Sequence, residues 1–121
     1  MLLIVEPLTQ HGDARGELLK LHPAPVQGEV YAVVTRPGAS RGHHLHHRMG
    51  EWFVAVSGRG ELRAVDPSTG ERQTVELQGV RVYVPPGIAH ALHATGDEDL
   101  VVVAMAEHPH DPDDAHPHPV P

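Results

Sequence analysis

The stretch that decides the fold runs from Gly38 to Gly58 and reads GASRGHHLHHRMGEWFVAVSG. His44 and His46 lie two residues apart, so on a β-strand both imidazoles point to the same face. The four residues that follow are enough for a tight turn, and the alternating run EWFVAVS predicts the next strand. A hairpin of these two strands brings Glu51 back beside both histidines. The stretch therefore predicts three metal ligands grouped on one side of a β-hairpin.

A second stretch supplies a fourth potential ligand. From Gly79 to His90 the sequence reads GVRVYVPPGIAH, which predicts a short strand, a Pro-Pro-Gly turn and a histidine just past the turn. The chain has no cysteine, so thiolate ligands and disulfides are excluded. Three imidazoles and one carboxylate form a nitrogen and oxygen set that suits Zn, Ni, Fe, Mn or Cu. The predicted ligands of one such divalent ion are His44, His46, Glu51 and His90.

Two other interpretations of these residues stay open on the sequence alone. Four histidines fall within five positions, which is also what simple compositional bias on an edge strand would produce. Strand parity separates them, because His43 and His47 point away from the face that carries the other two. Glu51 could pair with an arginine instead of a metal. The spacing of all four residues favours the metal site: two histidines lie two residues apart, Glu51 follows a short turn, and His90 follows the Pro-Pro-Gly turn.

The rest of the chain predicts further strands and no helix. None of its segments has a sustained helical period, and turn signals recur about every 8–12 residues, which is typical of a β-sandwich or barrel. The length of 121 residues fits one domain, here residues 1–106. Besides the two stretches above, the predicted strands are 2–5, 17–21, 29–35, 60–65, 71–77, 88–95 and 100–106, and residues 11–16 read as a turn.

Residues 107–121 form a tail of different composition. The segment EHPHDPDDAHPHPVP holds five prolines and four histidines. Proline cannot donate to a strand ladder, so we expect the tail to be extended or disordered and to stay outside the sheets. Its histidines are expected to be solvated. Metal binding at the barrel should then survive loss of the tail.

Charge and hydropathy limit the partners and the compartment. The net charge of −7 argues against a nucleic-acid partner. The beginning MLLIVEPL has no basic residue and too short an apolar run for a signal peptide, and no segment is apolar enough to span a membrane. We therefore expect a cytoplasmic protein. The apolar run 2–5 and the open edges of a small barrel need cover, which predicts a homodimer.

The two stretches together resemble the paired motifs of the cupin superfamily. The first reads G-x5-H-x-H-x4-E-x6-G and the second G-x5-P-x-G-x2-H, with 20 residues between them (59–78). The resemblance covers roughly residues 28–106. The only departure is Ala94, which stands where the second motif ends in asparagine. A cupin is implied to be all-β: an antiparallel jelly-roll barrel, or double-stranded β-helix, in a single domain.

A narrower resemblance concerns the activity. The run RGHHLHH with the later EWF, PPGIAH and acidic, proline-rich ending is similar to the C-terminal cupin domain of bifunctional capsular-polysaccharide enzymes that process UDP-sugars. The earlier DARGELLKL is similar to dTDP-sugar 3,4-ketoisomerases. Both imply epimerisation or isomerisation of a nucleotide-linked 4-keto sugar. The positions that match the first group are Arg41, Gly42, His44, His46, His47, Glu51, Phe53, Pro85, Gly87 and His90.

The implied reaction suggests roles for three more residues. A base must remove the proton beside the keto group, and His47 and Tyr31 are the candidates, although Tyr31 reads equally well as core packing, as do Trp52 and Tyr83. The charged guanidinium of Arg41 would bind a phosphate of the substrate. Two other functions stay open: an Fe-dependent small-molecule dioxygenase that uses the same ligands, and a non-catalytic module that binds a sugar or another metabolite.

Overall fold

The computed structural model describes all residues from 1 to 121 and consists of β-strands with one short 3-10 helix. No helix in it is long and apolar enough to cross a membrane. The strands are β1 (Ile4–Pro7), β2 (Thr9–Asp13), β3 (Gly16–Lys20), β4 (Val30–Thr35), β5 (Ser40–Leu45), β6 (Glu51–Ser57), β7 (Gly60–Val65), β8 (Arg72–Glu76), β9 (Val80–Val84), β10 (Ala89–Ala94), β11 (Leu100–Ala106) and β12 (His116–Pro117); the 3-10 helix is Pro112–Asp114.

Two five-stranded antiparallel sheets face each other. One has the strand order β1-β9-β6-β11-β4 and the other β12-β5-β10-β7-β8. Each strand turns alternate residues inward, so Phe53, Val82 and Val102 of the first sheet meet Leu62 and Leu92 of the second in one core. Val and Leu dominate this core because the chain has only four aromatic residues. The all-β antiparallel barrel predicted from the sequence is confirmed.

The C-terminal segment joins the second sheet. β12 pairs with β5, with His116 opposite Leu45 and Pro117 opposite His44. Val120 is buried in a small apolar cluster on the outer side of that sheet, together with Leu45. The expectation that residues 107–121 cannot join a strand ladder is therefore wrong. The prolines are tolerated because β12 is a short edge strand.

The two leucines of the N-terminal run are covered by their own chain, whereas Ile4 stays 49% exposed. Leu2 and Leu3 are buried in the main core, and both of their amides donate to the side-chain oxygen of Gln73. β1 pairs with β9 of the same molecule. The sequence offered this run, together with the open edges of the barrel, as the reason for a dimer; Leu2 and Leu3 need no partner for their burial.

The stretch predicted as a turn at residues 11–16 contains a turn, at residues 14–15, and this turn closes a separate hairpin. β2 and β3 pair only with each other, as a two-stranded sheet. Every residue of β2 is exposed, and Leu18 of β3 is 54% exposed. The glycines and the aspartate that signalled a turn occupy its tip, where Gly16 adopts a positive φ of 138°.

Candidate metal centre and its cavity

The four predicted ligands come together at one end of the barrel. His44 of β5 lies directly opposite His90 of β10, and Glu51 opens β6 after a turn that starts at His46. The ring centre of His44 is 5.0 Å from that of His46 and 5.0 Å from that of His90. One potential ligand atom each from His44, Glu51 and His90 lie within 4.8 Å of one another. These three side chains are close enough to share a single ion; His46 lies beside them but outside that group, with its ring centre 6.3 Å from that of His90.

A β-bulge positions His44. The register between β5 and β10 shifts between His90 and Ala91, and the two residues before His44 have positive φ angles, 105° at Gly42 and 55° at His43. A Cβ at Gly42 would lie 3.0 Å from the carbonyl oxygen of His90, so only glycine fits there without strain. The bulge turns His43 to the outside, where its Nδ1 accepts from the amide of Val120.

Two of the imidazoles are oriented by backbone carbonyls. His46 Nδ1 is 2.9 Å from the carbonyl oxygen of Asp114, and His90 Nδ1 is 3.1 Å from that of Ile88. A carbonyl oxygen can only accept, so both Nδ1 atoms carry the proton and donate. Nε2 of His90 therefore presents its lone pair to the cluster, and Nε2 of His46 does so when that ring is neutral. Metal-binding histidines are commonly fixed in this way.

The centre of the cluster contains polar atoms without hydrogen-bond partners. Glu51 is 1% exposed; its Oε2 accepts from the hydroxyl of Tyr31 at 2.5 Å, but its Oε1 has no aligned donor. His90 Nε2 is also buried and unpaired. His46 Nε2 lies 3.1 Å from Glu51 Oε1 as a close charge contact. Two acceptors at this distance repel unless a cation lies between them, either a proton or a metal ion. The three imidazoles and one carboxylate fit a divalent transition metal.

The pKa values follow from burial and from these contacts. Burial lowers the pKa of His90 to about 4, and burial together with the nearby His46 lowers the pKa of His44. Contact with the Glu51 carboxylate raises the pKa of His46 in spite of its burial. Burial alone would raise the pKa of Glu51, but its contacts with His46 and Tyr31 outweigh it, and the net shift is downward. Neutral His44 and His90 and an ionised Glu51 are the forms that bind a metal.

A cavity of about 280 Å³ opens onto the cluster. Arg41 and Tyr31 bring a guanidinium and a hydroxyl to its wall, beside His44 and His90, and the rest of the lining is Val33, Gly42, Phe53 and Leu92. A second cavity of about 430 Å³ adjoins it along Tyr31 and His44 and includes His110 and Ala115 of the C-terminal segment. Burial and the neighbouring Glu51 carboxylate raise the pKa of Tyr31, so its hydroxyl stays protonated.

Other residues that the sequence singled out lie elsewhere. His47 is exposed and stacks on His116 at 4.6 Å between ring centres, outside the cavity, so the hypothesis that it acts as the base is not supported by its position. Trp52 and Tyr83 stack on each other, 5.2 Å apart, on the outer face of the first sheet. Asp114 contacts the cluster through His46. No pattern in the sequence marked it as part of the site, apart from its place in an acidic, proline-rich segment.

The barrel and the placement of its two motifs define the chain as a cupin. The chain belongs to the family described as the polysaccharide biosynthesis C-terminal domain, which matches residues 11–117. This match includes the C-terminal segment up to β12. The superfamily predicted from the two motifs is confirmed.

The sequence identity between the chain and individual relatives is low. The chain is 27% identical over 99 residues to a UDP-2-acetamido-2,6-beta-L-arabino-hexul-4-ose reductase of Pseudomonas aeruginosa, covering 79% of this chain and 27% of that protein. It is 31% identical over 103 residues to a glucose-6-phosphate isomerase of Pyrococcus horikoshii, covering 84% and 50%. The chain thus spans half or less of the length of these relatives. A crystal structure of a dTDP sugar isomerase from Desulfovibrio desulfuricans G20 superposes with a TM-score of 0.89 at 21% identity, covering 97% and 83%, which shows a shared fold.

Proposed function

We propose that the chain holds one divalent transition metal at His44, His46, Glu51 and His90 and acts there as an epimerase or isomerase of a nucleotide-linked 4-keto sugar. The observation that carries this proposal is the set of buried, unpaired ligand atoms at the end of a cavity that also presents a cation and a neutral hydroxyl. Two of the proteins it resembles are named as sugar isomerases, and two names contain a nucleotide.

The reaction class follows from what the cavity can do to a sugar. A keto group acidifies the proton on the neighbouring carbon; a base in the cavity, to which the structure assigns no single residue, takes this proton and leaves negative charge on the keto oxygen. A divalent metal at the four side chains would act as a Lewis acid that stabilises this charge. Arg41 offers a charge-assisted pair to a phosphate at the cavity wall. Phe53 and Leu92 give the cavity an apolar wall, which would limit the access of water to a bound sugar.

Tyr31 is the residue placed to move a proton. Its hydroxyl stays protonated and donates to Glu51 in the structure; to return a proton to the sugar it would turn from Glu51 to the carbon, and the phenolic oxygen would then take a proton back from solvent. The two adjoining cavities meet at Tyr31 and His44, which leaves room for a sugar on one side and its substituent on the other. His47 has no part in this scheme because it faces away from both cavities.

Solvent exchange tests the proposal directly. We expect deuterium to enter carbon 3 when the protein is incubated in D₂O with dTDP- and UDP-linked 4-keto-6-deoxy sugars, read by mass spectrometry. Protein stripped by a chelator should lose the exchange and regain it when metal is restored. No uptake with either sugar class, together with O₂ consumption on another small molecule, would establish the dioxygenase instead. No turnover but a ligand-induced rise in melting temperature would establish a binding module.

We also expect a homodimer, now for a different reason than the N-terminal run. A two-stranded hairpin is marginal in water by itself, yet β2–β3 is exposed at every residue except Leu19 and carries Leu18 outward. A second copy packed on this hairpin would stabilise it. Light scattering at micromolar concentration should give twice the monomer mass, and Leu18→Lys should shift the protein toward the monomer. A monomeric parent protein would contradict the expectation.

A further inference from the structure

The turn between β5 and β6 lies between two of the proposed ligands, and three residues of the C-terminal segment contact it: Glu107 at Gly50, Asp111 at Arg48, and Asp114 at His46, His47 and Arg48. We propose that Asp114 is a positioning residue of the metal centre, which fixes this turn so that His46 and Glu51 face the same ion. The inference rests on the metal site of the proposed function and adds to it a residue far away in sequence. It also reverses the expectation that metal binding is independent of the C-terminal segment.

Asp114 makes three contacts to three consecutive residues of the turn. Its Oδ1 accepts from the amide of His47 at 2.9 Å, and its Oδ2 accepts from the amide of Arg48 at 3.0 Å. Its backbone carbonyl accepts from His46 Nδ1 at 2.9 Å. Asp114 is only 3% exposed, so water does not replace these bonds easily. The same residue therefore sets both the backbone of the turn and the direction of the His46 ring.

The segment on either side anchors Asp114. On its N-terminal side, Asp111 caps the 3-10 helix by accepting from the amide of Asp113 at 3.0 Å, and it pairs with Arg48 at 2.6 Å. On its C-terminal side, β12 pairs with β5, the strand that ends just before His46. Asp114 is thus held against the turn from both directions, which suits a positioning role.

Loss of the carboxylate would act on the metal through His46. Two partly buried amides of the turn would lose their acceptor, and the turn would then rearrange as these donors find other partners. The Asp114 carbonyl and the His46 ring would then separate, and Nε2 would no longer point at the site. Partners that orient a metal ligand typically contribute about 10–100-fold to metal affinity.

The test compares two neighbouring aspartates. In the full chain, Asp114→Ala should weaken Zn²⁺ binding by about 10–100-fold, measured by chelator competition. Asp113→Ala is the matched control, because Asp113 is exposed and its side chain makes no such contact, and it should leave the affinity unchanged. Asp114→Asn keeps the size and one acceptor oxygen, so it should fold even where the alanine variant does not and give an intermediate loss. Unchanged affinity in both Asp114 variants would overturn the proposal.

A second measurement separates positioning from general destabilisation and from the metal itself. In ¹⁵N-labelled, metal-free protein at a pH where the imidazoles are neutral, His46 should show the Nδ1–H tautomer, and the Asp114 variants should lose it while His90 keeps its own. An unaltered His46 signal in those variants would refute the role of Asp114. If the parent protein binds no Zn²⁺, the metal site of the proposed function fails, and the His46 signal still decides whether Asp114 positions the ring.

Discussion

His90→Ala should leave the protein without bound metal. His90 is buried, its Nδ1 is held by the Ile88 carbonyl, and its unpaired Nε2 points into the cluster. Removal of this ligand should cost more than the approximately 10–100-fold that is typical for loss of an orienting partner. Elemental analysis of protein purified without a His-tag should find close to one metal ion per chain in the parent protein and almost none in the variant.

The same strand provides the control. His93 lies three residues further along β10, on the opposite face from the cluster, so His93→Ala should keep the full metal content. Added Zn²⁺ should raise the melting temperature of the parent protein and of His93→Ala, but not of His90→Ala, because only a ligand that binds the folded state stabilises it. Equal metal content in all three proteins would refute the site and direct attention to the histidines of residues 107–121.

The grouping of the ligands could be predicted because it depends on local geometry. His44 and His46 share a face through strand parity, and a short turn returns the chain to Glu51. The order of the strands could not be predicted from local geometry, because His90 belongs to another hairpin. Only the resemblance to a known pair of motifs implied that β10 lies beside β5. Strand positions from Val30 to Ala106 follow the alternation of apolar residues, and the structure moves their ends by one or two residues at most.

What the sequence could not predict depends on tertiary contacts. The segment around Asp114 has the composition of a disordered tail, and it is ordered only because the turn after β5 offers two free amides and β5 offers an edge. Hydropathy predicts that Leu2 and Leu3 are buried. It does not show whether the chain's own core or a second copy buries them. The bulge at Gly42 depends on the close approach of the His90 carbonyl, which no local pattern encodes.

Tyr31→Phe should lower product formation by about 10²–10⁴-fold, the usual contribution of a positioned acid or base, and leave the metal content unchanged. The substitution removes only the hydroxyl that donates to Glu51 and faces the cavity. If Tyr31 returns the proton, the sugar bound to the Tyr31→Phe variant can still lose its proton and regain one on the other face, away from residue 31. Deuterium should then enter the recovered substrate faster than product appears.

Tyr83→Phe is the matched control for this experiment. Tyr83 also donates to a glutamate, Glu107, but on the outer face of β9, so product formation should stay within about twofold of the parent protein. If metal content falls in Tyr31→Phe, the hydroxyl serves to position Glu51 and is not the proton donor. If product formation and exchange fall together with metal retained, Tyr31 is needed before the proton leaves the sugar, and its role as the acid that returns the proton is refuted. Only continued exchange with lost product identifies the phenolic oxygen as the acid that completes the reaction.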